Sequence, residues 1–305
     1  MDFTPIPKKV MTVHDVSCFG RCAQTVIIPV MSALGVQTVP LPTALLSTHT
    51  GGFEGFTFLD LTNQMTKIHS HWENLGISFD GIYTGFLGSE QQIGTVKSIA
   101  EKAKSDNPHT LFLADPVMGD DGEKYKTYTS NMCLLTRGLL KDADIITPNL
   151  TEACILTDTP YKAHFDDGEL TTLLDRLSAL TAGSIVITGI RGIGKNSGLI
   201  YTVFRDRSSS FGKASAKYIE ANYPGTGDIF SSVLMSRLLY GKSLKESIEL
   251  AGNIVSSMSK YTFSCGTPIR EGLLTEAYLP VLAEYSPFKA HIIKEQQFET
   301  RSADK

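Results

Sequence analysis

The stretch NYPGTGDIFSSVLMSRLLYG, residues 222–241, sets Gly225, Thr226, Gly227 and Asp228 directly before a run of helical period. Two glycines let the backbone aim several N–H groups at one point, and the positive end of the following helix adds to them. That combination is an anion hole. Asp228 could instead cap the helix by accepting from N–H groups two and three residues on, worth about 1 kcal/mol. A cap, however, does not need glycine on both sides of Thr226. Phosphoryl transfer uses the whole set: amides stabilise charge on the transferred group, while the carboxylate orients an attacking hydroxyl and takes its proton. With an ordinary pKa of about 4, an aspartate cannot strip an alcohol beforehand, so the proton moves late, as the O–P bond forms.

A second glycine pattern is weaker. In GIRGIGKNS, Gly189, Gly194 and Lys195 fit GxxxxGK, but Asn196 stands where a phosphate-binding loop needs Ser or Thr for magnesium. The following SGLIYTVF also reads as a strand rather than a helix, so a plain turn is expected.

These residues need a frame to position them. Short β-rich apolar runs at 8–15, 35–42, 79–86, 109–116, 143–149 and 183–190 alternate with helical stretches such as 57–75, 89–104 and 167–181. That alternation predicts an α/β fold: a mostly parallel sheet between two layers of helices. After residue 196, SGLIYTVFRD and SAKYIEANY read as two consecutive strands joined by RSSSFGKA, an antiparallel edge. Helices at 227–240, 243–262 and 270–283 follow, and KEQQFETRSADK forms a polar tail. In such sheets ligands gather where strands end and loops lead into helices. The segments there are HDVSCFGR, LSTHTGGF, YTGFLGS, ADPVMGDDG, TPNLTEA, TGIRGIG and YPGTGD.

Composition narrows the class. The chain has 305 residues, 42% hydrophobic and 20% charged, with a mean hydropathy of −0.02, the profile of a globular protein with a large core. One large domain or two small ones would fit. A net charge of −4 and a pI near 6.0 offer no basic surplus for nucleic acid or an anionic membrane. The N-terminal sequence lacks a charged segment followed by a long apolar one, and no window reaches the length of a spanning helix, so a cytoplasmic location is expected. Cys18, Cys22, Cys133, Cys154 and Cys265 are scattered without metal-type spacing, which predicts that most are buried thiols rather than parts of a disulfide framework or a zinc site.

GTGD opening a late helix, with DPVMGD and TPNLTEA upstream, resembles the ribokinase-like superfamily of small-molecule kinases. STHTG, YTGF, ADPVMGD and DIITPNLTEA are similar to the pyridoxal (vitamin B6) kinase family, in order over residues 10–285. The resemblance implies a single three-layer α/β/α kinase domain over 1–288, with 289–305 as tail. It implies ATP as phosphate donor, Mg2+, room for a monovalent cation such as K+, a B6 vitamer as acceptor, and a homodimer. Carried over residue by residue, Asp228 is the base, and Gly225, Thr226 and Gly227 are the anion hole. Asp115 and Glu152 are the acids associated with magnesium and the ATP phosphates. Asn149 and Thr188 are nucleotide-side contacts, with Asp120 in the same phosphate-side loop. Thr50 is a polar contact to the pyridine ring and Phe86 an aromatic lying on it. Magnesium takes few protein carboxylates directly and keeps several waters, a habit that two separated acids suit. The segments MGDDGEKY and RSSSFGKA read as flaps that exclude water, and Tyr125 would enter the site from the first.

Each residue also has an ordinary reading. Asn149 and Glu152 stand three apart, nearly a capping box. Asp115 before Pro116 can start a turn, and Asp120-Asp121-Gly122 has turn composition. Thr50 before two glycines is common in loops, and Phe86 could be core. Convergence of acids, amides and an aromatic in several strand-end loops favours a site. Two positions depart from the family: Asp15 stands where B6 kinases carry a ring-contacting Ser, and Phe86 where many carry Tyr. A carboxylate there would favour a protonated pyridine or the aminomethyl cation of pyridoxamine; alternatively Asp15 caps the loop-to-helix junction near residue 20. A hydroxymethylpyrimidine kinase of the thiamin pathway and a B6-binding protein without activity are the competing functions.

Overall fold

The computed structural model describes residues 6–288 apart from 193, 209 and 210. The elements run β1 (Lys8–Phe19), α1 (Gln24–Ala33), β2 (Val36–Thr48), β3 (Phe58–Asp60), α2 (Thr62–Asn74), β4 (Gly81–Thr84), α3 (Glu90–Asp106) and β5 (Leu111–Ala114). A small hairpin, β6 (Gly119–Asp120) and β7 (Glu123–Lys124), precedes α4 (Ser130–Leu140), β8 (Ile145–Ile146), α5 (Leu150–Leu156) and α6 (Asp167–Ser178). The last third comprises β9 (Ser184–Arg191), β10 (Leu199–Arg205), β11 (Phe211–Lys217), α7 (Thr226–Leu239), α8 (Leu244–Cys265) and α9 (Leu279–Ala283).

Nine strands form one sheet in the order β11-β10-β9-β8-β5-β4-β1-β2-β3. The pairings from β2 through β9 are parallel, and both ends are antiparallel: β9-β10-β11 at one edge, β3 at the other. Strands covered on both faces must be apolar nearly throughout, and they are. On β1, Val10 packs against α1, α7 and α8, while Met11 and Val13 join the core under α2 to α6. The expected sandwich is thus present, with helices on both faces.

Several elements differ from the sequence expectations. The stretch 57–75 is not all helix: Phe58–Asp60 pairs antiparallel with β2, and the Asp60 carboxylate accepts the Thr62 amide, so α2 starts only at Thr62. The second strand of the far edge is Phe211–Lys217, not 215–223. Its inward positions are small, and at Gly212 the reason is Phe204, whose ring would lie 2.0 Å from a Cβ there. Much of RSSSFGKA is therefore strand, and Ser209 and Ser210 lie outside the described residues. The stretch 270–283 breaks into two single 3-10 turns, Ile269–Glu271 and Thr275–Ala277, before α9. Gly272 enforces the break: its φ is 80° and a Cβ there would meet the Arg21 carbonyl at 2.8 Å. β1 and β2 run further than expected, absorbing most of HDVSCFGR and LST. In GIRGIGKNS, Gly189–Arg191 end β9 and Gly194–Asn196 form a single 3-10 turn before the strand β10, while Ile193 lies outside the described residues. The tail expected at 289–305 lies outside the described residues.

Among the described residues no helix is long and apolar enough to cross a membrane. Cys22, Cys133 and Cys154 are buried thiols, in line with the expectation for most of the five, while Cys18 and Cys265 are exposed.

Candidate active site

α7 begins at Gly225, which sits in the left-handed region at φ 80°. Glycine is needed there twice over, since a Cβ would fall 2.2 Å from the Arg21 carbonyl. Residues Ile229 to Ser236 of α7 are all buried, so its first turn is fixed against the sheet. Asp228, in that turn, does not cap its own helix: no side-chain cap bond is made there. Its Oδ2 instead accepts the amide of Ala23, 2.8 Å away and 205 positions earlier. Ala23 holds φ 48° and ψ −137°, a sparsely populated conformation for a residue with a Cβ, and strain of this kind gathers at functional sites. Burial raises the Asp228 pKa to about 6, against the lowering effect of the Ala23 amide.

Two further acids stand beside it. Asp115 follows β5 and is 9% exposed; the Ser231 hydroxyl, which also reaches Thr147, donates to its Oδ2 at 3.4 Å. Glu152 is 3% exposed and does form the capping box of α5 with Asn149. Its Oε2 accepts the Asn149 amide at 2.8 Å and its Oε1 the Met118 amide at 3.0 Å. Burial, then the charge of Asp228, pushes Asp115 well above the usual carboxylate range; burial, then Asp115, does the same to Glu152. Such mutually repelling carboxylates fit a divalent cation, whose charge would relieve both. Among the described residues no three His, Cys, Asp or Glu side chains group into a metal cage. That donor set suits magnesium, which takes one or two carboxylates plus phosphate oxygens and water.

All the candidate site residues of the kinase resemblance line one cavity of about 1540 Å³, whereas Gly194, Lys195 and Asn196 do not. Asp15 does not cap α1; its Oδ2 accepts from Ser17, and burial raises its pKa. Phe86 is half-buried rather than core, and Thr50 is exposed at the mouth. Asp120 ends β6, and the hairpin turns through Asp121 (φ 47°) and Gly122 (φ 85°), the turn its composition predicts. Burial raises Asp120 as well. Tyr125 is 40% exposed just beyond β7, its amide donating to the Met118 carbonyl. Thr188 and Asn149 meet in an isolated parallel bridge, with the Thr188 amide on the Pro148 carbonyl.

Sequence reasoning missed three parts of this cavity. His14 lies beside Asp228, with Nδ1 3.9 Å from Oδ1. His49 is held by the Arg270 carbonyl at Nε2 (2.7 Å) and by the Gly51 amide at Nδ1 (3.2 Å), which fixes it as the neutral Nε2–H form. At the far end an apolar wall is built from Ile200, Ala214 and Ala216 on the edge hairpin and from Ile248, Gly252 and Val255 on α8. Only the small residues of β11 could have signalled that wall.

Comparison with known proteins agrees with this architecture. The family model described as phosphomethylpyrimidine kinase matches residues 28–271. Among curated proteins, pyridoxal kinase PdxY of Haemophilus influenzae is 27% identical over 271 residues, covering 85% of this chain and 91% of that one. A Bacteroides thetaiotaomicron protein provisionally named phosphomethylpyrimidine kinase, solved in a form with pyridoxal, is 40% identical with a TM-score of 0.85, over 90% of this chain and 96% of that one. The pyridoxal kinase of Lactobacillus plantarum is 26% identical with a TM-score of 0.82, over 90% and 96%. With the family model matched over residues 28–271 and this coverage, the chain belongs to the phosphomethylpyrimidine kinase family, as a small-molecule kinase of ribokinase-like fold.

Proposed function

We propose that the protein transfers the γ-phosphoryl group of ATP to the 5′-hydroxymethyl group of a vitamin B6 vitamer. The observation that carries this reading is Asp228, held by the Ala23 amide at the rim of the Gly225–Gly227 turn and open to a cavity with one polar and one apolar end. Adenine suits the apolar wall of Ile200, Ala216 and Val255, and the heteroaromatic acceptor suits the end near Phe86, Thr50 and Asp15. The names of the relatives, and the pyridoxal in the 40%-identical structure, support the acceptor.

The chain's own groups divide the work. The amides of Thr226, Gly227 and Asp228 stabilise charge on the transferred group. Asp228 orients the hydroxyl and takes its proton as the O–P bond forms. Asp115 directly and Glu152 through water would hold magnesium, which supplies charge neutralisation on the phosphate oxygens. Asn149 and Thr188 contact the nucleotide from the β8 and β9 ends, and the hairpin bearing Asp120 and Tyr125 closes over the phosphates. Asp15, whose carboxylate is hard to ionise alone in its buried setting, ionises readily beside a cation and so favours pyridoxamine or a pyridinium. The working unit is one domain over 1–288.

A hydroxymethylpyrimidine acceptor is the second reading, favoured by the family model and by an acid at position 15. ATP-to-ADP turnover with magnesium, offered pyridoxal, pyridoxamine, pyridoxine and hydroxymethylpyrimidine separately, distinguishes the two. Turnover on the vitamers is expected, with pyridoxamine best and its advantage lost in Asp15→Ser. Turnover on the pyrimidine alone would reassign the substrate; an unchanged vitamer order in Asp15→Ser would remove Asp15 from specificity.

A further inference from the structure

Beside Asp228 lies a buried imidazole that the reaction as written does not use. His14 is 1% exposed, at the point where β1 shifts register against β2, and irregularities of this kind re-aim side chains near active sites. Its ring packs edge-on to Tyr83 with centroids 4.4 Å apart. Its Nε2 has no partner within hydrogen-bond geometry, although the Tyr83 backbone lies close enough to the ring to oppose the effect of burial on it. Unpartnered buried polar atoms are costly, and an apolar side chain would avoid that cost. Gly85 of the YTGF segment makes the room: a Cβ there would lie 2.3 Å from His14 Nδ1 and 2.4 Å from Cε1. Gly85 is not among the glycines at positive φ, so it serves the imidazole rather than the backbone.

We propose that His14 is a positioning residue for Asp228: while the Ala23 amide holds Oδ2, the imidazole donates from Nδ1 to Oδ1 once the acceptor hydroxyl docks. An approach of about 1 Å from the present 3.9 Å completes that bond. The carboxylate plane is then fixed from two sides, and its remaining lone pairs face the hydroxyl. This rests on the reading of Asp228 as the base. Burial lowers the His14 pKa to about 3, so the ring is a neutral donor, neither a competing cation nor a second base. The other ionisable groups acting on Asp228 cannot take this role as cations. Asp15 on β1 and Asp115 after β5 are acids, and Tyr83 on β4, Cys22 before α1 and Tyr125 after β7 are weaker ones.

Steady-state kinetics on His14→Leu, His14→Gln and Asp228→Asn tests the proposal, with thermal melting of each variant to compare folded proteins only. His14→Leu is expected to lower kcat on the order of 10- to 100-fold, while KM for ATP and acceptor stays within about twofold. His14→Gln, which keeps a donor, restores most of it. Gly85→Ala, which pushes on the ring, lowers kcat in the His14 protein and leaves it unchanged in a His14→Ala background. A His14→Leu enzyme with unchanged kcat, or a His14→Gln enzyme equally impaired, overturns the role of His14. Full turnover by Asp228→Asn would instead sink the base itself, whereas its collapse beside a normal His14→Leu sinks only the positioning role.

Discussion

Asp228, the proposed base, is also a residue that the folded state holds at a cost. Asp228 has a pKa of about 6 in the protein against an ordinary 3.8. The folded protein therefore binds more protons than the unfolded chain between those values, and its stability falls as pH rises through that window. The penalty is complete above pH 6 and amounts to roughly 3 kcal/mol at most. Asp228→Asn keeps an acceptor for the Ala23 amide and removes the charge. It should melt several degrees higher than the wild type at pH 8, with the difference vanishing toward pH 4, as differential scanning calorimetry across pH would read. The same titration governs activity, since only the carboxylate can take a proton: kcat should climb through pH 6 in the wild type. A wild-type rate that is flat from pH 5 to 8 would mean that another group is the base.

At the scale of elements, the turn into α7 does the positioning. Gly225→Ala places a Cβ 2.2 Å from the Arg21 carbonyl at a φ of 80°, so the turn must open or the 20–23 loop must move. Either displaces the Ala23 amide from Asp228. Turnover should drop at least on the order of 100-fold, with a stability loss of about 1–3 kcal/mol by denaturant unfolding. A variant that unfolds more easily yet turns over normally would separate the turn from the reaction. This turn was readable in the chain because glycine on both sides of Thr226 exceeds what a capped helix start requires. The parallel strands were equally readable, since a strand covered on both faces must be apolar nearly throughout, as LFLA is and as VMTV is apart from Thr12. β3 was not, because Phe58-Leu59-Asp60 is too short to show a period beside the helix that follows. β11 was misplaced because its inward residues Gly212, Ala214 and Ala216 are small and give no apolar alternation, and Gly212 is small on account of Phe204, its partner across the sheet. His14 escaped notice for the same kind of reason: its meaning lies in Gly85 and Asp228, which are distant in sequence. Glu152 shows the opposite case, where the capping-box reading and the place in the cavity are both real.

For the molecule as a whole, the β3 edge is where self-association would occur. Phe58 and Leu59 are 51% and 56% exposed on the last strand of the sheet, with Leu45 on β2 at 40%. Exposed apolar side chains on an unpaired edge are a pairing surface unless covered. Sedimentation velocity should give a dimer, and Leu59→Lys a monomer; a monomeric wild type would end the expectation of a homodimer. The opposite edge, with α8 behind it, is the one proposed to face the nucleotide.

The bond from Ala23 to Asp228 joins the first loop of the chain to its seventh helix. On the ribosome, β1 and its loop are made well before the carboxylate they hold, which follows 205 positions later. With Asp228 as the proposed base, a nascent fragment that stops before α7 carries the loop and lacks the group that takes the hydroxyl's proton. The site is then complete only once both ends of that bond have been made.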